Sequence, residues 1–236
     1  QGRRHVFGQR HNFCPTSPDY QRLASGLVTQ LAKRYGDNPH IVAWHVNNEY
    51  GGNCYCDNCA AAFREWLKKR YQTLDNLNRA WNMNVWSHTI YDWDEIVVPN
   101  ELGDAWGPEG TETIVAGLSI DYLRFQSDAM LNLFKMEKHI IEQYAPDIPV
   151  TTNFHSLPNK MVDYQKWARE QDIISYDSYP AYNMPTYQPA FLYDLMRTLK
   201  HQPFMLMEST PAQVNWQPYS PLKRPGQMRA TELQAV

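Results

Sequence analysis

Two stretches with one shared grammar constrain this chain of 236 residues more than any other feature. Ile41-Val42-Ala43-Trp44-His45-Val46 is an apolar, partly β-branched run that closes on Asn47-Asn48-Glu49-Tyr50-Gly51. Pro203-Phe204-Met205-Leu206-Met207 runs in the same way into Glu208-Ser209. A short apolar run bounded by polar and turn-forming residues reads as a buried strand. A parallel strand of an α/β barrel is hydrophobic along its length and turns polar where it meets the loops at its carboxyl end. Asn48 and Glu49 stand at one such end and Glu208 at another. One Asn-Glu pair alone is most simply a solvated loop. Its recurrence is what points to a site.

The segments between these runs alternate as a parallel sheet requires. Ser17-Pro18 is a helix start, with serine as N-cap and proline at the first helical position. The helix runs to about Tyr35, with Leu23, Leu27, Leu31 and, one step away, Val28 as its apolar stripe. Further helices are expected at 60–71, 74–81, 164–170 and 187–200. A long one starts at a Ser119 cap and reaches about Tyr144, where Pro146 follows. Strands are expected at 41–47, 150–153, 173–176 and 204–207. The pattern predicts an α/β fold, a partial (β/α)8 TIM barrel whose remaining strands lie outside this chain. Residues 1–236 then form one fragment of a catalytic barrel domain, with 82–118 an irregular, tryptophan-bearing excursion. The chain starts at Gln1 rather than Met, so a longer parent is expected, and the isolated piece is expected to be inactive.

Composition excludes some classes. A net charge of -3 argues against a partner held through phosphate contacts, so no nucleic acid is expected. No apolar run approaches the roughly 20 residues that span a bilayer, so no membrane segment is expected. The eight histidines make no H-E-x-x-H pattern, which argues against a zinc hydrolase. Two strand-end glutamates far apart in sequence suit a double-carboxylate glycosidase. One carboxylic acid protonates the leaving oxygen while one carboxylate attacks the anomeric carbon, about 5–5.5 Å away. The amide of Asn48 could hydrogen-bond a sugar hydroxyl, and the planar fork of Arg10 could bind two at once. Trp216, in a loop past Glu208, reads either as core or as a sugar platform.

Cys54, Cys56 and Cys59 crowd into six positions as Cys-x-Cys-x2-Cys, and Cys14 is the only other cysteine. Such crowding is hard to pair as disulfides and natural for a tetrahedral zinc cage with Cys14 as fourth ligand. Free or disulfide-linked thiols are the alternatives. With four protein ligands the metal would have no open position and would be structural.

Trp44-x2-Asn47-Asn48-Glu49-Tyr50-Gly51, the cysteine cluster, Phe63-Arg64-x-Trp66-Leu67 and Leu77-Asn78-x-Ala80-Trp81 together resemble the β-galactosidases of glycoside hydrolase family 42. The resemblance continues through Trp86-Ser87 and Asp177-Ser178-Tyr179-Pro180 to Glu208-Ser209-Thr210-Pro211. It implies a retaining exo-β-galactosidase with Glu49 as general acid/base and Glu208 as nucleophile. It also implies substrate contacts from Arg10, Asn48, Tyr179 and Trp216, and a structural Zn2+ on Cys14, Cys54, Cys56 and Cys59. A trimeric, cytoplasmic parent acting on a β-galactoside is the further implication. The rival readings are another retaining barrel glycosidase, of α-L-arabinopyranosidase or β-glucosidase type, and a non-catalytic zinc-stabilised sugar-binding domain.

Overall fold

The computed structural model describes residues 10–100, 105–106, 112–113, 115–155, 162–210, 214, 219 and 221–236. The chain divides into two compact units, Gln1–Val28 with Gly51–Met136 and Thr29–Tyr50 with Glu137–Val236.

In the first unit, helices α2 (Asp57–Tyr71) and α3 (Leu74–Trp81) follow each other across a two-residue break. Thr73 makes the break a start as well as a stop, since its side chain accepts the backbone N–H of Asn76. Cys59, Phe63 and Leu67 at helical spacing bury one face of α2 against Leu77 and Trp81 of α3 and against Leu118, Tyr122 and Phe125. The latter three belong to α4 (Ala116–Glu142), the longest helix. Buried Asp121 ties these helices together by accepting from the Tyr71 hydroxyl (2.5 Å), the Trp81 indole (2.9 Å) and Arg124 (2.9 Å). The helix opens three residues before the expected Ser119 cap, and Ser119 N–H bonds back to Val115 O. Gly117 permits this, because a Cβ there would stand 2.4 Å from the Trp81 ring. The 82–118 excursion contains a 3-10 turn at Trp93–Glu95 and a two-stranded antiparallel ribbon, β2 (Ala105–Trp106) with β3 (Glu112–Thr113).

The second unit holds the parallel strands. β1 (Trp44–His45) pairs with β4 (Val150–Thr151), and Thr152 alone separates β4 from β5 (Asn153–His155). β5 pairs with β6 (Ser175–Ser178), and β6 with β7 (Met205–Ser209), all parallel. This is the expected partial barrel, with each strand where the sequence predicts one but several shifted towards their carboxyl ends. Outward residues pack on helices α5 (Tyr164–Ala168) and α6 (Tyr187–Lys200). Phe154 stacks on Tyr164 at 4.0 Å between ring centres, and Tyr176 meets Tyr193 edge-on. The other face is polar instead: Asn153 is hydrogen-bonded to His45 and Asp177, and the Thr151 and Ser175 hydroxyls lie 2.7 Å apart.

Helix α1 (Pro18–Tyr35) starts on its Ser17 cap as predicted, the Ser17 hydroxyl accepting Tyr20 N–H at 3.3 Å. Its leucine stripe is present, with Leu23, Leu27 and Leu31 62, 63 and 41% exposed within residues 1–236. A further helix, α7 (Gln227–Ala235), was not anticipated from sequence.

Gly36 closes α1 with no room for a side chain, since a Cβ would lie 2.6 Å from Tyr144 O and 2.7 Å from Ala32 O. Both obstacles are backbone and cannot rotate away. Gly36→Ala is expected to cost about 1–3 kcal/mol, read as a lower thermal unfolding midpoint.

Candidate active site

Glu49 and Glu208 come together in the second unit. One carboxyl oxygen of each, and one of Asp177, lie within 4.8 Å of one another. Two backbone devices achieve this. After β1 the chain turns through left-handed conformations at Asn47 (φ 57°) and Glu49 (φ 48°), which aims the Glu49 carboxyl inward and leaves it 7% exposed. A left-handed glutamate is uncommon and costs free energy, a cost tolerated where function needs the geometry. In β7 a bulge sets Glu208, instead of Met207, opposite Asp177. Because paired residues share a face, the bulge turns Glu208 to the polar side. Glu208 therefore lies at the carboxyl end of its strand, as expected, with the strand running two residues past the predicted 204–207.

Asn153 is the hub, and sequence reasoning missed it. Its Oδ1 accepts the backbone N–H of Glu49 at 2.8 Å and meets His45 Nε2 at 2.9 Å. A backbone N–H can only donate, so that amide atom is the oxygen and His45 carries its proton on Nε2. The Nδ2 of Asn153 donates to Asp177 Oδ2 (2.5 Å), Asn48 Oδ1 (3.0 Å) and, more weakly, Glu208 Oε1 (3.3 Å). The other Glu208 oxygen accepts the Tyr179 hydroxyl. Glu208 is thus held by a donor on each oxygen. Burial, then the hydrogen bond to Glu208, pushes the Tyr179 phenol up, so it remains a donor. Burial, followed by the charge of Glu208, pushes Asp177 up to about 8. A signal for Asn153 and Asp177 existed in Asn153-Phe154-His155 and Ser175-Tyr176-Asp177, where polar residues alternate with one large aromatic residue.

Of the remaining predicted substrate residues, Asn48 and Tyr179 join the glutamates through the hydrogen bonds above. Arg10 belongs to the first unit, at an exposed position. Trp216 lies outside the described residues. A separate cavity of about 340 Å³, between Pro180–Pro189 and the start of α7, includes neither glutamate.

The four cysteines converge within the first unit. All four sulfurs lie within 4.8 Å of one another, with Cys14 Sγ 3.5 Å from Cys59 Sγ and 3.4 Å from Cys56 Sγ. None is in a disulfide. Sulfurs at the corners of a tetrahedron around zinc, each about 2.3 Å from it, are about 3.8 Å apart, so the donor set fits that ion. The Cys54 backbone is anchored on both sides, its N–H to Gln126 Oε1 (2.9 Å) and its carbonyl to the Tyr122 hydroxyl. Hydrogen bonds from Cys54 and then Cys59 push the Cys14 thiol down, while donation to Cys14 pushes Cys54 up and Cys59 up to about 11.

Removing the hub should be felt before any chemistry is tested. Asn153→Ala leaves the Glu49 N–H and Asp177 Oδ2 without this partner and is expected to cost about 1–3 kcal/mol, measured by urea unfolding.

Known proteins resemble this chain over its whole length. The family model for glycoside hydrolase family 42, described as beta-galactosidase, matches residues 1–236. The chain is 79% identical over 236 residues to beta-galactosidase LacZ of Lactobacillus acidophilus, covering all of this chain and 35% of that protein. It is 52% identical to beta-galactosidase BgaP of Planococcus sp., covering 100% and 34%. The crystal structure of the beta-galactosidase from Bacillus circulans sp. alkalophilus superimposes with a TM-score of 0.94 at 55% identity, covering 100% of this chain and 34% of that one. The chain spans about a third of the length of these relatives. It belongs to glycoside hydrolase family 42.

Proposed function

We propose that the protein carrying this family 42 segment is a retaining exo-β-galactosidase working by double displacement. The observation that carries the reading is the approach of Glu49 and Glu208, with carboxyl oxygens within 4.8 Å. Nearest oxygens that close suit a retaining pair, with about 5–5.5 Å between carboxyl groups, better than an inverting pair at about 6.5–9.5 Å with a water between. The different settings of the two glutamates support distinct roles. Glu208, oriented by a donor on each oxygen, suits the nucleophile. It attacks the anomeric carbon as the bond to the leaving oxygen breaks, and Glu49 gives that oxygen its proton. Glu49 then takes a proton from water, whose oxygen attacks the same carbon and releases Glu208 from the ester. Two inversions give net retention. Asn48, its Oδ1 engaged by Asn153, would turn its NH2 to a sugar hydroxyl. Tyr179 orients Glu208, and Arg10 and Trp216 are carried as substrate contacts on the family resemblance.

The proposal includes a structural Zn2+ held by Cys14, Cys54, Cys56 and Cys59. Bound there, it would supply a cross-link between the Cys14 loop and the start of α2. A divalent cation bound there would stabilise the thiolates. Four thiols in no disulfide also suit a reducing, cytoplasmic compartment. Among the described residues no helix is long and apolar enough to cross a membrane. The trimeric parent comes from the family resemblance, and light scattering on the intact protein reports it.

Glu49→Ala is expected to lower kcat on unactivated β-galactosides by roughly 10²–10⁴-fold, less on aryl galactosides with good leaving groups, with azide restoring turnover as β-galactosyl azide. Glu208→Ala should be rescued by azide to the α-anomer instead. Rescue products of the same anomeric form from both variants would overturn the role assignment. An aryl glycoside panel in which arabinopyranoside or glucoside exceeds galactoside would shift the substrate to the rival barrel glycosidases. For the metal, atomic emission should find one zinc per chain, and Cys56→Ser or a strong chelator should lower both zinc content and the unfolding midpoint.

A further inference from the structure

Double displacement uses two carboxyl groups, and this site packs three. One oxygen each of Glu49, Asp177 and Glu208 lies within 4.8 Å of the others. Three negative charges at that separation, largely removed from water, do not coexist. Asp177 is the most buried of the three, at 2% exposed against 7% for Glu49 and partial exposure for Glu208. Its two oxygens have opposite surroundings. Oδ2 accepts Asn153 Nδ2 at 2.5 Å, whereas Oδ1 is fully buried and, among the described residues, receives no hydrogen bond. A carboxylate oxygen buried without a donor is costly. The O–H of a carboxylic acid in the same place is not, because oxygens of Asp177 and Glu49 lie within 4.8 Å.

We propose that Asp177 is a positioning residue for the two glutamates, a carboxylic acid that keeps its proton through turnover, braces the Glu49 carboxyl by donating to it, and holds Asn153 turned towards Glu208. The inference rests on the two-glutamate reading above. The β7 bulge has a reason on this view, since it is what sets Glu208 opposite Asp177. The groups facing Asp177 come from every neighbouring element. They are Glu49 from the turn after β1, Asn153 and the in-register His155 from β5, Tyr164 from α5, Tyr176 on its own strand, Glu208 from β7, and Tyr179 just beyond β6. His45 reaches it through Asn153. Below about pH 8 Asp177 is protonated; above it, a further negative charge joins that of Glu208 and turnover falls.

Asp177→Asn and Asp177→Ala in the intact protein test this, with pH profiles of kcat and kcat/KM on an aryl β-galactoside. Asparagine reproduces the neutral acid, offering NH2 towards Glu49 and a carbonyl towards Asn153, and it cannot ionise. Asp177→Asn is expected to keep most of the wild-type kcat at slightly acid pH and to lose or shift upward the fall above about pH 8. Asp177→Ala is expected to lose roughly 10²-fold in kcat with KM little changed, through misplaced glutamates. Infrared spectra give a readout independent of turnover. A protonated-carboxyl stretch should titrate away near pH 8 in the wild type and be missing in Asp177→Asn. Wild-type and Asp177→Asn spectra that differ by no protonated-carboxyl band titrating near pH 8 overturn the inference, as does an unchanged alkaline limb or an asparagine variant as impaired as the alanine one. If the wild type hydrolyses no β-galactoside, the functional reading fails, while the infrared titration still decides whether Asp177 holds the proton.

Discussion

One side-chain amide holds the site together. Asn153 has an acceptor end and a donor end, and both are fully engaged: the acceptor fixes the backbone of Glu49 and the His45 tautomer, the donor gathers Asn48, Asp177 and Glu208. An amide suits this work because it presents opposite polarities a little over two ångströms apart without charge of its own. A carboxylate there would repel the acids around it, and an apolar residue would leave the Glu49 N–H bare. Everything else in the second unit serves to put that amide in place, since β5 carries it, β1 and β6 flank it, and the rings of Phe154, Tyr164, Tyr176 and Tyr193 back the strands from outside.

The sequence discloses the helices better than the strands. Thr73 and the apolar spacing of 74–81 predict α3, and Tyr187–Lys200 predicts α6, because capping and 3.6-residue periodicity are local. The strands are located but displaced, for a physical reason. Their inner face is polar, so reading apolar runs finds Ile174 and Leu206 yet stops short of Asp177 and Glu208, which are themselves strand residues. The two glutamates, Asn48 and the cysteine cluster are legible as motifs. Asn153 and Asp177 leave only a short polar–aromatic alternation, which marks a strand face but not their contacts across 104 and 24 positions. Ser119 fails as a cap because Gly117 lets the helix begin against Trp81. The leucines of α1 repeat at helical spacing, which gives the period of a buried stripe without telling what buries it.

The two units divide their means of support. The first relies on a dense aromatic and aliphatic core around α2, α3 and α4, tied by Asp121, and on four thiols brought together by loops. The second relies on a polar interior. Lys138 and Lys200 extend that pattern to its outer turns, where they donate to Asp172 and to the carbonyls of Ala168, Glu170 and Gln171. A hydrophobic core tolerates exchange of one apolar shape for another. A hydrogen-bonded interior does not, since each member answers a specific donor or acceptor.

The torsion at Glu49 has a consequence for how such a protein can change. A left-handed φ of 48° is easy for glycine and costs another residue roughly 1–2 kcal/mol. On backbone grounds alone, glycine is the better occupant of position 49, and the carboxylate is retained against that preference. Selection for heat resistance without a check on sugar cleavage would therefore drift toward erasing this very side chain. At this one residue, durability and chemistry pull in opposite directions.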